Sequence, residues 1–178
     1  MIQRRSRLWI VSDTIKVMTQ PSVDPPRLAT VADADTVAGL LDAFNREYDD
    51  PTPGIEVLAA RLAWLLPGGD VIALLTGDPA TGFALLTLRP NVWYEGPVAL
   101  LDELYIVPEL RGRGLGSALL GAAEEVTRAR GGELFEINVD GDDVDARRFY
   151  ERHGYANSEP GEDEALLYYY RELGASLS

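Results

Sequence analysis

The chain of 178 residues contains no cysteine and a single histidine, His153. Without thiols there are no disulfides, no thiolate zinc site and no cysteine-based acyl intermediate. One imidazole builds no histidine metal cluster, and a Ser-His-Asp triad would have to use that residue. Runs of apolar residues are strand-sized, well below the roughly 20 that a membrane helix needs, so no membrane partner is expected. The segment Leu8 to Val11 is too short for the apolar core of an export signal, so a cytoplasmic location is expected. Basic excess is missing too. The net charge of -13 repels phosphate backbones, arguing against nucleic acid and toward a cationic partner or plain solubility. Internal repeats and low-complexity tracts are absent.

What is present starts to be regular at Arg27. Residues 1–26 lack sustained periodicity, end in Pro25-Pro26 and are expected to form an arm outside the fold, with Met18 as an alternative start. Residues 27–178 are expected to form one domain. RLATV (27–31) reads as a short strand, and Asp33 or Asp35 caps a helix with Val37, Leu40, Leu41, Phe44 and Tyr48 at helical spacing. After the break at DDPTPG (49–54), Thr52 and Pro53 offer a cap and first-turn proline to a second helix, whose stripe is Ile55, Leu58, Ala59, Leu62 and Leu65. Three strands come next, at 71–77, 83–89 and 98–107, joined by short connections that make them antiparallel neighbours. Residues 114–130 carry Leu115, Ala118, Leu119, Ala122, Ala123, Val126 and Ala129 on one helix face, and Gly131-Gly132 stops that helix. A strand at 133–139 implies a parallel, right-handed crossover. Asp143 caps a fourth helix with Ala146, Phe149, Tyr150 and His153 inward. Two further strands are expected, around Tyr155 and at 165–173. The order is β-α-α-β-β-β-α-β-α-β-β, an α/β (α+β) fold with a mixed, mostly antiparallel sheet of six to seven strands and about four helices.

The loop Arg111 to Gly116 reads RGRGLG and lies between a strand and a helix, where backbone amides converge on an anion. Glycines 112, 114 and 116 remove Cβ atoms and permit positive φ. It is not a nucleotide-hydrolysis loop, because Gly116 is followed by Ser117 and Ala118 with no lysine. Nor does it match the dinucleotide fingerprint, since Ser117 stands where a third glycine belongs, although Glu136 mimics the acidic ribose ligand.

Leu104-x-Ile106-x-Pro108, Arg111-x-x-Gly114-x-Gly116 and Asp143-x-x-Ala146-x-x-Phe149-Tyr150-x-x-x-Gly154-Tyr155, in this order and spacing, resemble the GNAT superfamily of N-acetyltransferases. The resemblance spans Arg27 to Leu173. It implies that amides of Arg111, Gly112, Arg113, Gly114, Leu115, Gly116 and Ser117 hold the pyrophosphate of acetyl-coenzyme A without a metal. It further implies that Leu104, Ile106 and Val107 pair with the pantetheine arm in a gap where strands 98–107 and 133–139 splay. Asp143, Ala146, Phe149 and Tyr150 complete the expected cofactor set, with Asp143 standing where relatives usually carry asparagine. The ionised carboxylate cannot donate a hydrogen bond. Tyr150 occupies the position that often supplies the acid for the departing thiolate.

The attacking amine must lose a proton, and Asp102, Glu103 or water could take it. Strict alternation sends the two carboxylates to opposite faces, with Asp102 beside Leu100, Leu104 and Ile106. Relatives often place an acid at one of these positions, which favours Asp102 with Glu103 second. The resemblance implies acceptor recognition at residues 44–54 and 91–97, where Glu47, Asp49 and Asp50 could attract an ammonium group and Tyr48, Trp93 and Tyr94 form its walls. His153 reads as a packing or capping residue. The expected activity is transfer of an acetyl group to a small cationic or peptide amine by direct attack in a ternary complex. The alternatives are a non-catalytic acyl-coenzyme A sensor and a nicotinamide-binding enzyme. A homodimer is expected from the family alone.

Overall fold

The computed structural model describes residues 25–171. The predicted arm, Met18 included, lies almost entirely outside the described residues. Strand β1 (Arg27–Leu28) is shorter than the expected 27–31 because Asp33 pulls the chain into a 3₁₀ turn at Val31–Asp33. The Asp33 carboxylate takes the Thr30 N–H at 2.8 Å and two N–H groups of Arg27 at 2.6 and 3.0 Å. These bonds to the charged form hold its pKa well below the usual carboxylate range, the Arg27 bond contributing most.

Helix α1 (Ala34–Glu47) buries Val37, Ala38 and Leu41, and α2 (Ile55–Leu65) buries Ala59 and Leu62. Ile55, expected in the α2 stripe, is exposed, since it opens the helix before the packed turn begins. The α1–α2 loop is tied down from inside. Buried Asp42 accepts from Arg46 Nε at 2.6 Å and from the Thr52 hydroxyl at 2.8 Å. Thr52 Oγ1 in turn accepts the N–H of Gly54, the residue that caps α2 at φ 92°.

Strands β2 (Val71–Thr76), β3 (Gly82–Arg89) and β4 (Val98–Ile106) form an antiparallel meander. Helix α3 (Leu115–Ala129) then carries the chain to β5 (Leu134–Ile137), which lies parallel to β4 as the crossover required. Helix α4 (Val144–Arg152) comes after it. The sheet order is β1-β2-β3-β4-β5. Alternation along the strands divides the core in two. Leu74, Leu86, Ala99, Leu101 and Ile106 face Leu115, Leu119, Leu120 and Ala123 of α3, whereas Ala73, Leu75, Phe83 and Tyr105 face α1 and α2.

Two features of the sheet position the site. β4 and β5 pair only from Val98↔Leu134 to Leu101↔Ile137, so β4 from Asp102 onward has no partner strand on that side among the described residues. They are held together at the Val98 end: a Cβ on Gly96 would sit 1.7 Å from the Gly131 carbonyl oxygen, a contact only glycine allows. Glu133 adds to that clamp by accepting the N–H groups of Glu95 and Gly96 at 3.2 and 3.4 Å.

Among the described residues the sheet has five strands rather than the expected six to seven. Among the described residues, the segment after Tyr155 forms only an isolated Ser158–Ala165 bridge, with the Leu166 N–H bonded to the Asn157 carbonyl at 2.7 Å. A strand-like pattern becomes a strand only where an edge supplies partners. Here the segment bonds to itself, and Leu166 to Tyr170 remain exposed.

Candidate active site

After β4, a 3₁₀ turn at Pro108–Leu110 leads into the glycine loop. Gly112 and Gly114 adopt φ +72° and +84° with nothing within 4 Å of where a Cβ would stand. Both positions therefore require glycine for conformation, and both leave the loop open to a ligand. Gly116 differs, because a Cβ there would meet the Phe149 ring at an ordinary 3.6 Å. Gly114 caps α3, and the first amide with a partner is that of Ala118, bonded to Gly114 at 3.0 Å. The N–H groups of Gly112 through Ser117 have no partner among the described residues. Six free donors, three in the loop and three in the first turn of a fifteen-residue helix, make a fitting cradle for a diphosphate. No group of three or more His, Cys, Asp or Glu is placed to hold a metal among the described residues.

The arginines of the loop are engaged with protein. Arg111 grips Glu47, the last residue of α1, through two N–H groups at 2.7 and 2.8 Å. Its Nε donates to the Ile106 carbonyl at 2.9 Å and its guanidinium lies 5.5 Å from the Tyr105 ring centre. The fork lowers the pKa of the Glu47 carboxyl and raises that of Arg111. Arg113 donates to the Glu109 carbonyl at 3.2 Å.

The open side of β4 is more selective than expected. The Val107 N–H is bonded to the Thr81 carbonyl at 3.0 Å, so it is already committed to the β3 side. By antiparallel alternation the main chains of Tyr105 and Glu103 also turn to β3, and those of Leu104 and Ile106 turn to the gap. With the Ile106 carbonyl taken by Arg111, Leu104 and the Ile106 N–H remain for an extended ligand.

The expected opposition of Asp102 and Glu103 is corrected by a β-bulge. Leu86 pairs with Leu101 and Leu85 with Glu103, leaving Asp102 without a partner. One extra residue reverses the alternation. Ala99 and Leu101 before the bulge, and Leu104 and Ile106 after it, therefore all pack toward α3. Asp102 does not share their face. It turns to the α1–α2 side, where Oδ2 accepts the Thr87 hydroxyl at 2.6 Å, and Glu103 is its neighbour there. Burial of the carboxyl raises the pKa of Asp102, and the Thr87 bond opposes that rise. Half-buried Glu103 is pushed up to about 7, first by burial, then by the charges of Asp102 and Asp50.

Across the gap, α4 is capped by Asp143, whose Oδ1 accepts the Ala146 N–H at 2.9 Å. That carboxylate is thus spent on its helix. Phe149 and Tyr150 pack against the α3-side core, Tyr150 lying 5.9 Å from the Tyr155 ring. Burial pushes the Tyr150 hydroxyl up to about 12, helped by the charges of Asp143 and Glu103. His153 is exposed rather than inward, because it caps the C-terminus of α4. Its Nδ1 donates to the Phe149 carbonyl at 2.7 Å, which leaves Nε2 2.9 Å from the Ser117 hydroxyl.

The expected acceptor residues separate into two groups. Tyr48, stacked edge-on against Phe44, and Asp49 and Asp50 lie on the α1–α2 loop, and the charge of Asp50 reaches Glu103. Trp93 and Tyr94 precede β4 at the clamped end, away from the glycine loop. Both of their N–H groups bond to Asn91 Oδ1 at 2.8 Å, and they line a depression of about 290 Å³ with Leu134 and Glu136. Thr87, Asp42 and Tyr105 carry no motif, and only the strand register reveals Thr87 beside Asp102.

The acetyltransferase (GNAT) family model matches residues 35–155. The aminoalkylphosphonate N-acetyltransferase of Salmonella typhimurium is 32% identical over 132 residues, covering 74% of this chain and 84% of that protein. An aminoglycoside N(6')-acetyltransferase type 1 of Stenotrophomonas maltophilia is 32% identical over 136 residues, covering 75% and 86%. A crystal structure from Arthrobacter sp. FB24 superposes with a TM-score of 0.81 at 61% identity, covering 85% of this chain and 97% of that one. With the glycine loop, the short parallel β4–β5 pair and the capped fourth helix all in place, the chain belongs to the GNAT acetyltransferase family and is an acyl-coenzyme A-dependent N-acetyltransferase.

Proposed function

We propose that the protein transfers an acetyl group from acetyl-coenzyme A to a small cationic primary amine, with Glu103 as the base and Tyr150 as the donor toward the leaving group. The observation that carries this reading is Glu103 at the bulge, raised to about 7 and under the field of Asp102 and Asp50. The amides of Gly112 to Ser117 would hold the diphosphate, and Leu104 with the Ile106 N–H the pantetheine arm. Bound acetyl-coenzyme A supplies an acetyl group activated as a thioester.

An alkylammonium near pKa 10.4 is a poor proton source for an ordinary glutamate, the gap being roughly 6 units; at about 7 it narrows to roughly 3. Glu103 therefore accepts the amine proton far more readily than a solvated carboxylate. That uptake removes one of the charges that raise Tyr150. A phenol at about 12 releases its proton to a thiolate of about 8.5 only against roughly 5 kcal/mol. Neutralising Glu103 lessens that cost, so the two groups act in sequence, and Tyr150 serves first as a hydrogen-bond donor. Asp102 tunes Glu103 and is not itself the base.

The acidic surroundings also select the acceptor. Asp49, Asp50, Asp102 and Glu103 attract cations and repel a phosphonate, so aminoglycoside-like or polyamine acceptors fit better than aminoalkylphosphonates. No helix among the described residues is long and apolar enough to cross a membrane, and the acceptor we propose is a small amine met in the cytoplasm.

The test is turnover of acetyl-coenzyme A against kanamycin, spermidine, 2-aminoethylphosphonate and a short peptide, scored by thiol release and by mass of the acetylated amine. Acetylation of the first two above the others is expected. Tight coenzyme binding with no acetylation of any primary amine would overturn the proposal in favour of a sensor.

A further inference from the structure

We infer that the Glu47–Arg111 pair links the two substrate sites, carrying occupancy of the phosphate loop into the acceptor loop 48–54; this rests on the reading of residues 112–117 as the diphosphate site. Arg111 opens the phosphate loop, yet its guanidinium points its donors elsewhere. Two go to Glu47 and Nε goes to the Ile106 carbonyl at 2.9 Å, beside the Tyr105 ring. One planar group thus joins the end of α1, the open side of β4 and the start of the phosphate loop. A lysine could not make those three connections at once. Ion pairs with this much exposure, 41% and 26% of the two side chains, contribute little to stability. What a two-pronged pair between residues so distant in sequence supplies is position.

Position matters here because Glu47 leads directly into Tyr48, Asp49 and Asp50. Asp49 sits at φ 58°, a left-handed conformation that aspartate tolerates better than most residues but that still carries some cost. The far side of the loop is anchored independently through Asp42 and Thr52. The near side depends on Glu47 and on the Tyr48, Asp49 and Asp50 amides, bonded to α1 carbonyls at 3.2, 3.3 and 2.9 Å. Asp50 then acts on Glu103 through its charge. Hydrogen bonds join Arg111 to Glu47 and the Tyr48, Asp49 and Asp50 amides to the end of α1, and the last step, from Asp50 to the base, is the field of its charge. Ordering the loop around Arg111 fixes the fork, and the fork fixes the acidic residues that meet the amine. By linkage, an acceptor held by those residues tightens coenzyme binding equally.

Hydrogen exchange measured by mass spectrometry, with coenzyme A as the probe, tests this. In the unaltered protein coenzyme A is expected to slow exchange at 112–117 and, by about fivefold or more, at 48–50. In Glu47→Gln the slowing at 112–117 should remain and that at 48–50 should vanish. Arg111→Met should do the same from the other side, and Arg111→Lys, which keeps the charge without the fork, should retain only part of it. A pair with a merely structural role would speed exchange at 48–50 equally with and without coenzyme A, leaving the ligand-dependent difference intact. That result, or no effect of coenzyme A on 48–50 in the unaltered protein, overturns the inference while leaving the phosphate loop secure. Absence of slowing at 112–117 in the unaltered protein would instead remove the diphosphate reading, and the linkage with it.

Discussion

From Gly112 to Ser117 the donors are all main-chain amides, whereas at the β4 bulge two carboxylates crowd together and their proton affinities rise. The first region depends on two backbone conformations and has no titrating group of its own in the grip. The second depends on side-chain packing and charge and is sensitive to pH and to each neighbour. On the proposed reading, capture of the coenzyme and activation of the amine fall to parts of the chain that fail in different ways, and a substitution in one should leave the signature of the other intact.

The largest effect is expected for Glu103→Gln. We predict a fall in kcat/KM of about 10³ at pH 8, with loss of the limb that otherwise rises through about pH 7; an unchanged pH profile would return the proton to water. The same variant carries a stability test of opposite sign. A carboxyl raised from 4.5 to about 7 in the fold binds more protons folded than unfolded between those values, so its stabilising effect is fully present below pH 4.5 and lost as pH rises past 7. Glu103→Gln should therefore be more stable than the parent at pH 8, by at most about 3 kcal/mol, and show no such gain at pH 4. Denaturant melts at the two pH values would show it.

Next in size is Gly114→Val, which places a β-branched residue at φ +84°. Affinity for coenzyme A by calorimetry should fall about 10²-fold, with the pH limb of the residual activity unmoved; a displaced limb would show that the two regions are not separable. The smallest effect is expected for Thr87→Val. Its hydroxyl lowers the pKa of Asp102. Without it Asp102 holds its proton to higher pH, pushes less on Glu103, and the acid limb should move down by a fraction of a pH unit. An upward move would mean that Asp102 does not act on the base as proposed.

The same contrast explains what could be read in advance. Gly112 and Gly114 advertise themselves, because a loop that must present amides through left-handed conformations leaves glycine in the chain. The helices are equally plain, since α3 repeats its apolar residues at helical spacing. The orientation of Asp102 and Glu103 was hidden because a bulge inserts one residue without a local signature, and every side chain beyond it changes face. Trp93 and Tyr94 resemble pocket walls in composition, and only topology puts them at the clamped end. The engagement of Val107 with Thr81, and of Arg111 with Glu47, joins residues far apart in sequence and needs the folded register. The strand-like pattern at 165–173 describes what a segment would accept as a neighbour, not which neighbour it takes, and its described part bonds back to residues 157 and 158 rather than joining the sheet.

The glycine contact between Gly96 and Gly131 fixes one end of the β4–β5 pair, while at the other end β4 runs on past the last pairing, Leu101↔Ile137. The pin lies outside the four paired positions, so it sets their alignment without lining the place where the pairing stops. Substitution at Gly96 would therefore disturb the alignment of both strands, and with it everything β4 presents from Asp102 onward, while touching none of the proposed site residues.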